Sequence, residues 1–183
     1  MQEDKLKETM KCSRQVYDGP LLKVYHDRVT LPNGSETGRD LIRHVGAVCI
    51  VPVTDDGKVV MERQYRYPVA QVAVEIPAGK LDFAGEDRLK AAMRELREET
   101  GITADRWQDM GIYYPSPAYT DEKITMYLAQ GLHMGGKQDL DEDEFLDFDL
   151  QDIKDVVKDI MDGKLTDGKT QVAILKAARI LGY

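Results

Sequence analysis

The run Arg94-Glu95-Leu96-Arg97-Glu98-Glu99-Thr100-Gly101-Ile102 constrains this chain more than any other stretch. In a helix it sets Glu95, Glu98 and Glu99 at i, i+3 and i+4, a turn apart on one side. Like charges so placed destabilise an isolated helix, and a cation held between them removes the conflict. Oxygen-only donors suit a hard ion, Mg2+ or Mn2+, rather than zinc. Leu89, Ala92, Met93 and Leu96 recur at helical spacing and predict an apolar stripe that docks on a sheet. Gly101 falls where a left-handed C-terminal cap is wanted, and Ile102 resumes the core.

Upstream, Glu75-Ile76-Pro77-Ala78-Gly79-Lys80-Leu81-Asp82 and then Gly85-Glu86 lead a strand end through a Pro/Gly loop into that helix. Here the chain resembles the Nudix hydrolases, whose box reads G-x5-E-x7-R-E-U-x-E-E-x-G-U with U aliphatic. The match runs unbroken from Glu86 to Ile102. One departure precedes it: six residues rather than five separate Gly79 from Glu86, an insertion near Phe83-Ala84. The insertion spares the helix and alters the loop.

The surroundings are those of an ordinary soluble domain. The 183 residues are 42% hydrophobic and 32% charged, enough for a substantial core. A net charge of −8 argues against a nucleic-acid surface, which needs a basic stripe. It leaves room for a small anionic substrate neutralised locally by metal and arginine. Two cysteines, Cys12 and Cys49, make no disulfide framework, and Cys49 in an apolar run reads as a buried thiol. Residues 1–11 are charged and carry no apolar segment, and no run reaches the ~20 apolar residues of a membrane span. The expectation is a cytoplasmic protein with no membrane partner.

Residues 1–45 read as a small antiparallel sheet, with strands at 21–30 and 36–44 flanking a turn at 31–35. Residues 46–183 read as a second domain. Its strands lie at 48–53, 58–65 and 72–76, then near 107–114 and 123–130, with a helix at 87–100 between them. Ile153, Val156, Val157, Ile160 and Met161 predict a helix with Asp149 as its cap and Gly163 as its stop. A last helix over 170–181 buries Val172, Ile174, Ala177, Ala178 and Leu181. The fold class is therefore α+β, and the Nudix resemblance implies an α/β/α sandwich plus the separate N-terminal sheet.

Beyond the box, Gln64-Tyr65-Arg66-Tyr67 and the segment from Tyr114-Pro115-Ser116-Pro117 to Glu122 look like the ADP-ribose pyrophosphatase branch. Pro117, fifteen residues after Ile102, matches that branch's substrate-class proline. Asp141-Glu142-Asp143-Glu144-Phe145 and Asp167-Gly168-Lys169-Thr170 match it as well. The resemblance implies hydrolysis of the pyrophosphate of ADP-ribose to AMP and ribose 5-phosphate with two or three Mg2+ ions, Mn2+ being a possible substitute. By position-matching it implies Glu95, Glu98, Glu99, Glu144 and the Ala78 carbonyl as metal ligands. Arg94 would orient the carboxylates, Glu98 would be shared between ions, and Glu142 would be the general base. Gly79, Glu86 and Gly101 shape the box; Glu86 either steadies the loop or faces the helix N-terminus. Arg66 is the candidate phosphate contact, and Arg39 and Arg43 are candidates to reach substrate across an implied homodimer; for arginines at strand edges a plain surface role is the alternative. Tyr17, Tyr25, Tyr113 and Tyr119 are all available to stack on the base. His26, His44 and His133 form no zinc or triad pattern. Two alternatives stand beside this reading. One is another nucleoside diphosphate sugar such as GDP-mannose, which the box cannot distinguish because it touches only metal and phosphate. The other is a non-catalytic ADP-ribose sensor, which the complete set of box glutamates and the lack of a basic extension disfavour.

Overall fold

A computed structural model describes residues 5–183; the first four residues of the charged 1–11 stretch lie outside it. Strands β1 (Thr9–Asp18), β2 (Lys23–Thr30) and β3 (Glu36–Arg43) form a three-stranded antiparallel sheet in that order. Asn33 builds the β2–β3 turn by accepting from Ser35 N at 3.0 Å and Ser35 Oγ at 2.7 Å.

The second sheet is mixed. Its members are β4 (Ala47–Val53), β5 (Lys58–Arg66), β6 (Gln71–Glu75), β7 (Ala78–Lys80), β8 (Thr103–Tyr113), β9 (Ile124–His133) and β10 (Leu146–Asp152). The main order is β10-β5-β4-β9-β8, with β6 pairing β5 and β7 pairing β4. β4 and β9 are parallel, Val48 opposite Thr125. Every residue of β4 is buried because both faces of the sheet are covered. Alternation then divides its side chains: Cys49, Val51 and Val53 meet α2 (Ile153–Met161) and α3 (Gly168–Leu181), while Val48 and Ile50 meet α1 (Arg88–Thr100). This is the α/β/α sandwich the sequence implied. Burial pushes the Cys49 thiol up to about 12, so it is an inert core group.

Three local expectations are corrected. Asp152, not Asp149, caps α2, its carboxylate accepting from Lys154 N at 2.8 Å. The reason is β10, which alternates Leu146, Phe148 and Leu150 within an acidic stretch and carries the strand through Asp149. Asp149 pairs with Arg63 on β5 at 2.6 Å instead. Met93 is 40% exposed and Ala91 takes its place in the α1 stripe. α3 begins two residues before Thr170, at Gly168, capped by Asp167.

Leu96 is fully buried between α1 and the sheet. Leu96→Ala should lower unfolding free energy by about 3 kcal/mol, read from urea midpoints at constant m-value.

Candidate active site

The box loop enters from β6 and is fixed to the sheet before α1 begins. Pro77 O accepts from Ile50 N at 2.9 Å, β7 pairs Val48 with Gly79, and Leu81 N donates to Gly46 O at 3.0 Å. The inserted residue sits in an exposed turn, where Glu86 N donates to Phe83 O at 3.2 Å and Gly85 takes a φ of 91°. Glu86 folds back over this turn and its carboxylate accepts from Asp82 N at 2.8 Å. Asp87 takes the capping role at the helix start, accepting from Lys90 N at 3.0 Å.

α1 then presents its acids to the loop. Glu99 is 5% exposed and its Oε2 accepts from Ala78 N at 3.0 Å. Glu95 packs directly on Gly79, where a Cβ would lie 2.1 Å from the Glu95 carboxyl carbon. A side chain at this position would push the Glu95 carboxylate aside. Arg94 stands among four carboxylates: Nη1 is 3.0 Å from both Glu95 and Glu98, and Nη2 is 3.4 Å from Asp82 and 3.6 Å from Glu86. The helix ends at Gly101, φ 70°, against which the Gly136 backbone packs too closely for any side chain. Gln138 and Asp139 then bind the terminal carbonyls of Glu99 and Glu98 at 2.6 and 2.8 Å. That anchors the acidic segment 139–144 beside the box.

Together these elements line a cavity of about 670 Å³. Of the residues singled out from sequence, Arg66, Ala78, Gly79, Arg94, Glu95, Glu98 and Glu144 line it. Glu99 lies beneath it, buried. Glu142 is exposed and outside the lining, where Asp139, Asp141 and Asp143 stand instead. Arg39 is bound to Glu8 and Arg43 lies between Asp27 and Asp121, both in the N-terminal sheet and outside this cavity. Pro117 is exposed and outside it also. A second hollow of about 340 Å³ adjoins the first through Leu21, His44 and Glu122. Tyr119 lines it, whereas Tyr17, Tyr25 and Tyr113 line neither cavity.

The electrostatics divide the site in two. On one side Glu75 is 3% exposed and gripped by the Arg66 fork, 2.7 Å to each oxygen, and by Lys169. Burial alone would raise its carboxyl, but these hydrogen bonds and charges outweigh burial and hold it at about 2. On the other side cations are scarce. Burial pushes Glu95 up to about 7, with Arg94 opposing it only in part. Glu99 is raised by burial and then by the charges of Glu62 and Glu95; Glu62 is raised by burial too. Glu62 Oε1 is buried with no hydrogen-bond partner.

A donor set of this kind fits a hard divalent ion: it is all oxygen, buried, and short of positive charge. Among the described residues no three acidic, histidine or cysteine side chains close a cage by themselves. Mg2+ suits that arrangement, because it binds through one or two carboxylates and takes waters and substrate phosphates for the rest.

Glu62, Lys169, His44, Glu122 and Leu21 were not assigned roles from sequence. Leu21 and His44 flank the N-terminal strands, and no local motif marks them. Lys169 and Glu122 fall in the stretches that resemble the ADP-ribose pyrophosphatase branch but had no role there, and Glu62 left only a carboxylate closing the apolar run Val59-Val60-Met61.

Comparison with known proteins agrees with this geometry. Residues 43–170 match the NUDIX domain family, and residues 12–39 match the nucleoside diphosphate sugar hydrolase N-terminal domain. The chain is 39% identical to the ADP-ribose pyrophosphatase of Bacillus subtilis over 170 residues, covering 92% of this chain and 91% of that one. It is 39% identical to the methanol dehydrogenase activator of Bacillus methanolicus over 163 residues, covering 88% of each. It is 37% identical to the ADP-ribose pyrophosphatase of Mycobacterium tuberculosis over 132 residues, 72% of this chain and 64% of that one. A crystal structure described as an ADP compounds hydrolase shares the fold, with a TM-score of 0.84 at 23% identity over 96% of this chain and 95% of that one.

Glu75 has a folded-state value of about 2 against an ordinary 4.5, so its stabilisation is complete above pH 4.5 and is lost as pH falls towards 2. The stability advantage of wild type over Glu75→Gln should shrink by roughly 3 kcal/mol between pH 5 and pH 2, measured by denaturant unfolding at each pH.

Proposed function

The chain belongs to the NUDIX domain family, and from that premise we propose that it hydrolyses the pyrophosphate of ADP-ribose, giving AMP and ribose 5-phosphate, with Mg2+ as its metal. The observation that carries this reading is the packing of Glu95 and Glu99 on the Ala78–Gly79 loop, with Glu95 and Glu98 at the wall of a cavity large enough for a nucleotide sugar. Relatives of 37–39% identity described as ADP-ribose pyrophosphatases support the choice of substrate.

In this reading Glu95, Glu98 and Glu99, with the Ala78 carbonyl and Glu144, would hold the ions. When bound, divalent ions neutralise the diphosphate and lower the pKa of a coordinated water. Arg94 keeps Glu95 and Glu98 aligned by pairing with both through one nitrogen. Arg66 offers the phosphate the Nη1 left outside its fork with Glu75, whose grip fixes the guanidinium in place. Glu142 on the acidic segment is the proposed base, carried next to Glu144, which lines the cavity. Tyr119 in the adjoining hollow is the platform for the base, with His44 and Glu122 at the junction. Residues 1–45 act as a subdomain for substrate contact and homodimer formation, and residues 46–183 as the catalytic domain. The setting is the cytoplasm.

A panel of ADP-ribose, GDP-mannose, NADH and diadenosine polyphosphates, each with Mg2+ and with Mn2+, tests the substrate. Phosphate released after phosphatase coupling should be greatest with ADP-ribose and absent in EDTA. GDP-mannose as the preferred substrate would move the protein to another branch of the family.

Glu99→Gln keeps an oxygen for the Ala78 amide and removes the carboxylate that would bind the ion. Turnover should fall by orders of magnitude while thermal unfolding barely moves, and unchanged turnover would contradict the ligand assignment.

A further inference from the structure

We infer that the first turn of α3 positions the metal-binding loop, with Thr170 as the positioning residue. The inference rests on the metal site just proposed.

Thr170 is fully buried and contributes more than core packing. Its Oγ1 accepts from the backbone N–H of Ile76 at 3.0 Å, across ninety-four residues of sequence. Ile76 lies two residues before Ala78, the residue that meets Glu99. β6 ends at Glu75 and β7 starts at Ala78, so the Ile76 amide falls in the gap between strands, where no ladder partner serves it. A buried amide in that position needs an acceptor, and Thr170 supplies it.

The direction of this hydrogen bond is set from the other side. Asp167 Oδ2 accepts from Thr170 Oγ1 at 2.6 Å and from Thr170 N at 2.9 Å. The hydroxyl proton is thereby committed to Asp167, and the lone pairs of the oxygen face Ile76. Such a chain from amide to hydroxyl to carboxylate polarises each link and fixes its geometry. Asp167 also draws Lys169 to 3.1 Å, and Lys169 in turn holds Glu75. Residues 75 and 76, the last before the loop, are thus both held by one helical turn. Beyond them Pro77 O and the Ala78 amide are committed to Ile50 and Glu99. The loop has little freedom while Thr170 is in place. Without it, Ile76 and Asp167 each lose a buried partner, and the displacement passes directly to Ala78 and Gly79.

Thr170→Val keeps the side-chain shape and removes the hydroxyl, and Thr170→Ser restores the hydroxyl. Amide exchange of the metal-free protein reports on the loop, and Mn2+ titration followed by EPR reports on the site. In Thr170→Val, exchange over residues 75–80 should speed at least tenfold while α2 exchanges as in wild type. Its Mn2+ affinity should fall at least tenfold, and the Mn2+ needed for half-maximal turnover should rise in step. Thr170→Ser should return each value to within threefold of wild type. A folded Thr170→Val that exchanges, binds Mn2+ and turns over as wild type does, with only a lower melting temperature, overturns the inference. Should Thr170→Val not fold, Asp167→Asn replaces it: at least threefold weaker Mn2+ binding is expected, and unchanged affinity is equally fatal. If wild type itself binds no Mn2+, the proposed metal site fails, and the exchange data still decide whether Thr170 holds the loop.

Discussion

Carboxylates that repel one another must be kept within a few ångströms on α1, and much of the surrounding structure serves that end. Water screens them incompletely, least of all at buried Glu99, so the protein uses fixed donors. The Ala78 amide donates to Glu99, and one nitrogen of Arg94 pairs with Glu95 and Glu98 together. The carboxyls of Glu95 and Glu99 stay raised nonetheless, first by burial and then by the neighbouring carboxylates. A site left short of positive charge in this way suits the divalent ion proposed above.

The loop and the helix are supported from opposite ends of the chain. β4 carries the loop from one side through Ile50 and Gly46, and α3 meets its entrance through Thr170 and Lys169. The C-terminal carbonyls of α1, which every helix leaves unpaired, are used to tether the acidic segment through Gln138 and Asp139. The two glycines Gly101 and Gly136 permit that contact because each would clash with the other's backbone if it bore a side chain. The same helix end therefore closes the box and delivers Glu144 to the cavity wall.

Glu75 shows the contrast between the two halves of the site. It is as buried as Glu99, yet it sits well below its ordinary value because Arg66 and Lys169 saturate it. Glu62, directly opposite Glu75 in the β5–β6 ladder, has no hydrogen bond at Oε1. Neighbouring carboxylates on one strand pair thus receive opposite treatment: one is locked into a salt-bridge network, the other left facing the acidic side.

Much of this was legible in the residues themselves. Period and capping chemistry are local, so the α1 acids, the Gly101 cap, the β2–β3 turn and the apolar strand at 48–53 could be read without coordinates. The exceptions have physical causes. β10 hides because its alternating apolar residues are set among aspartates, and pairing with β5 turns an acidic stretch into a strand; that moved the α2 cap from Asp149 to Asp152. Met93 fits helical spacing as well as Ala91 does, and only the angle at which α1 meets the sheet selects between them. What the sequence by itself determined is the chemistry: a helical acid face, its arginine and its glycine-bearing loop. What only the tertiary structure decided is which distant side chains join them. Lys169 and His44 come from segments far apart in the chain and line one cavity, while Glu75 and Thr170 meet at the entrance of its loop; long-range packing, which leaves no periodic signature, brings them there.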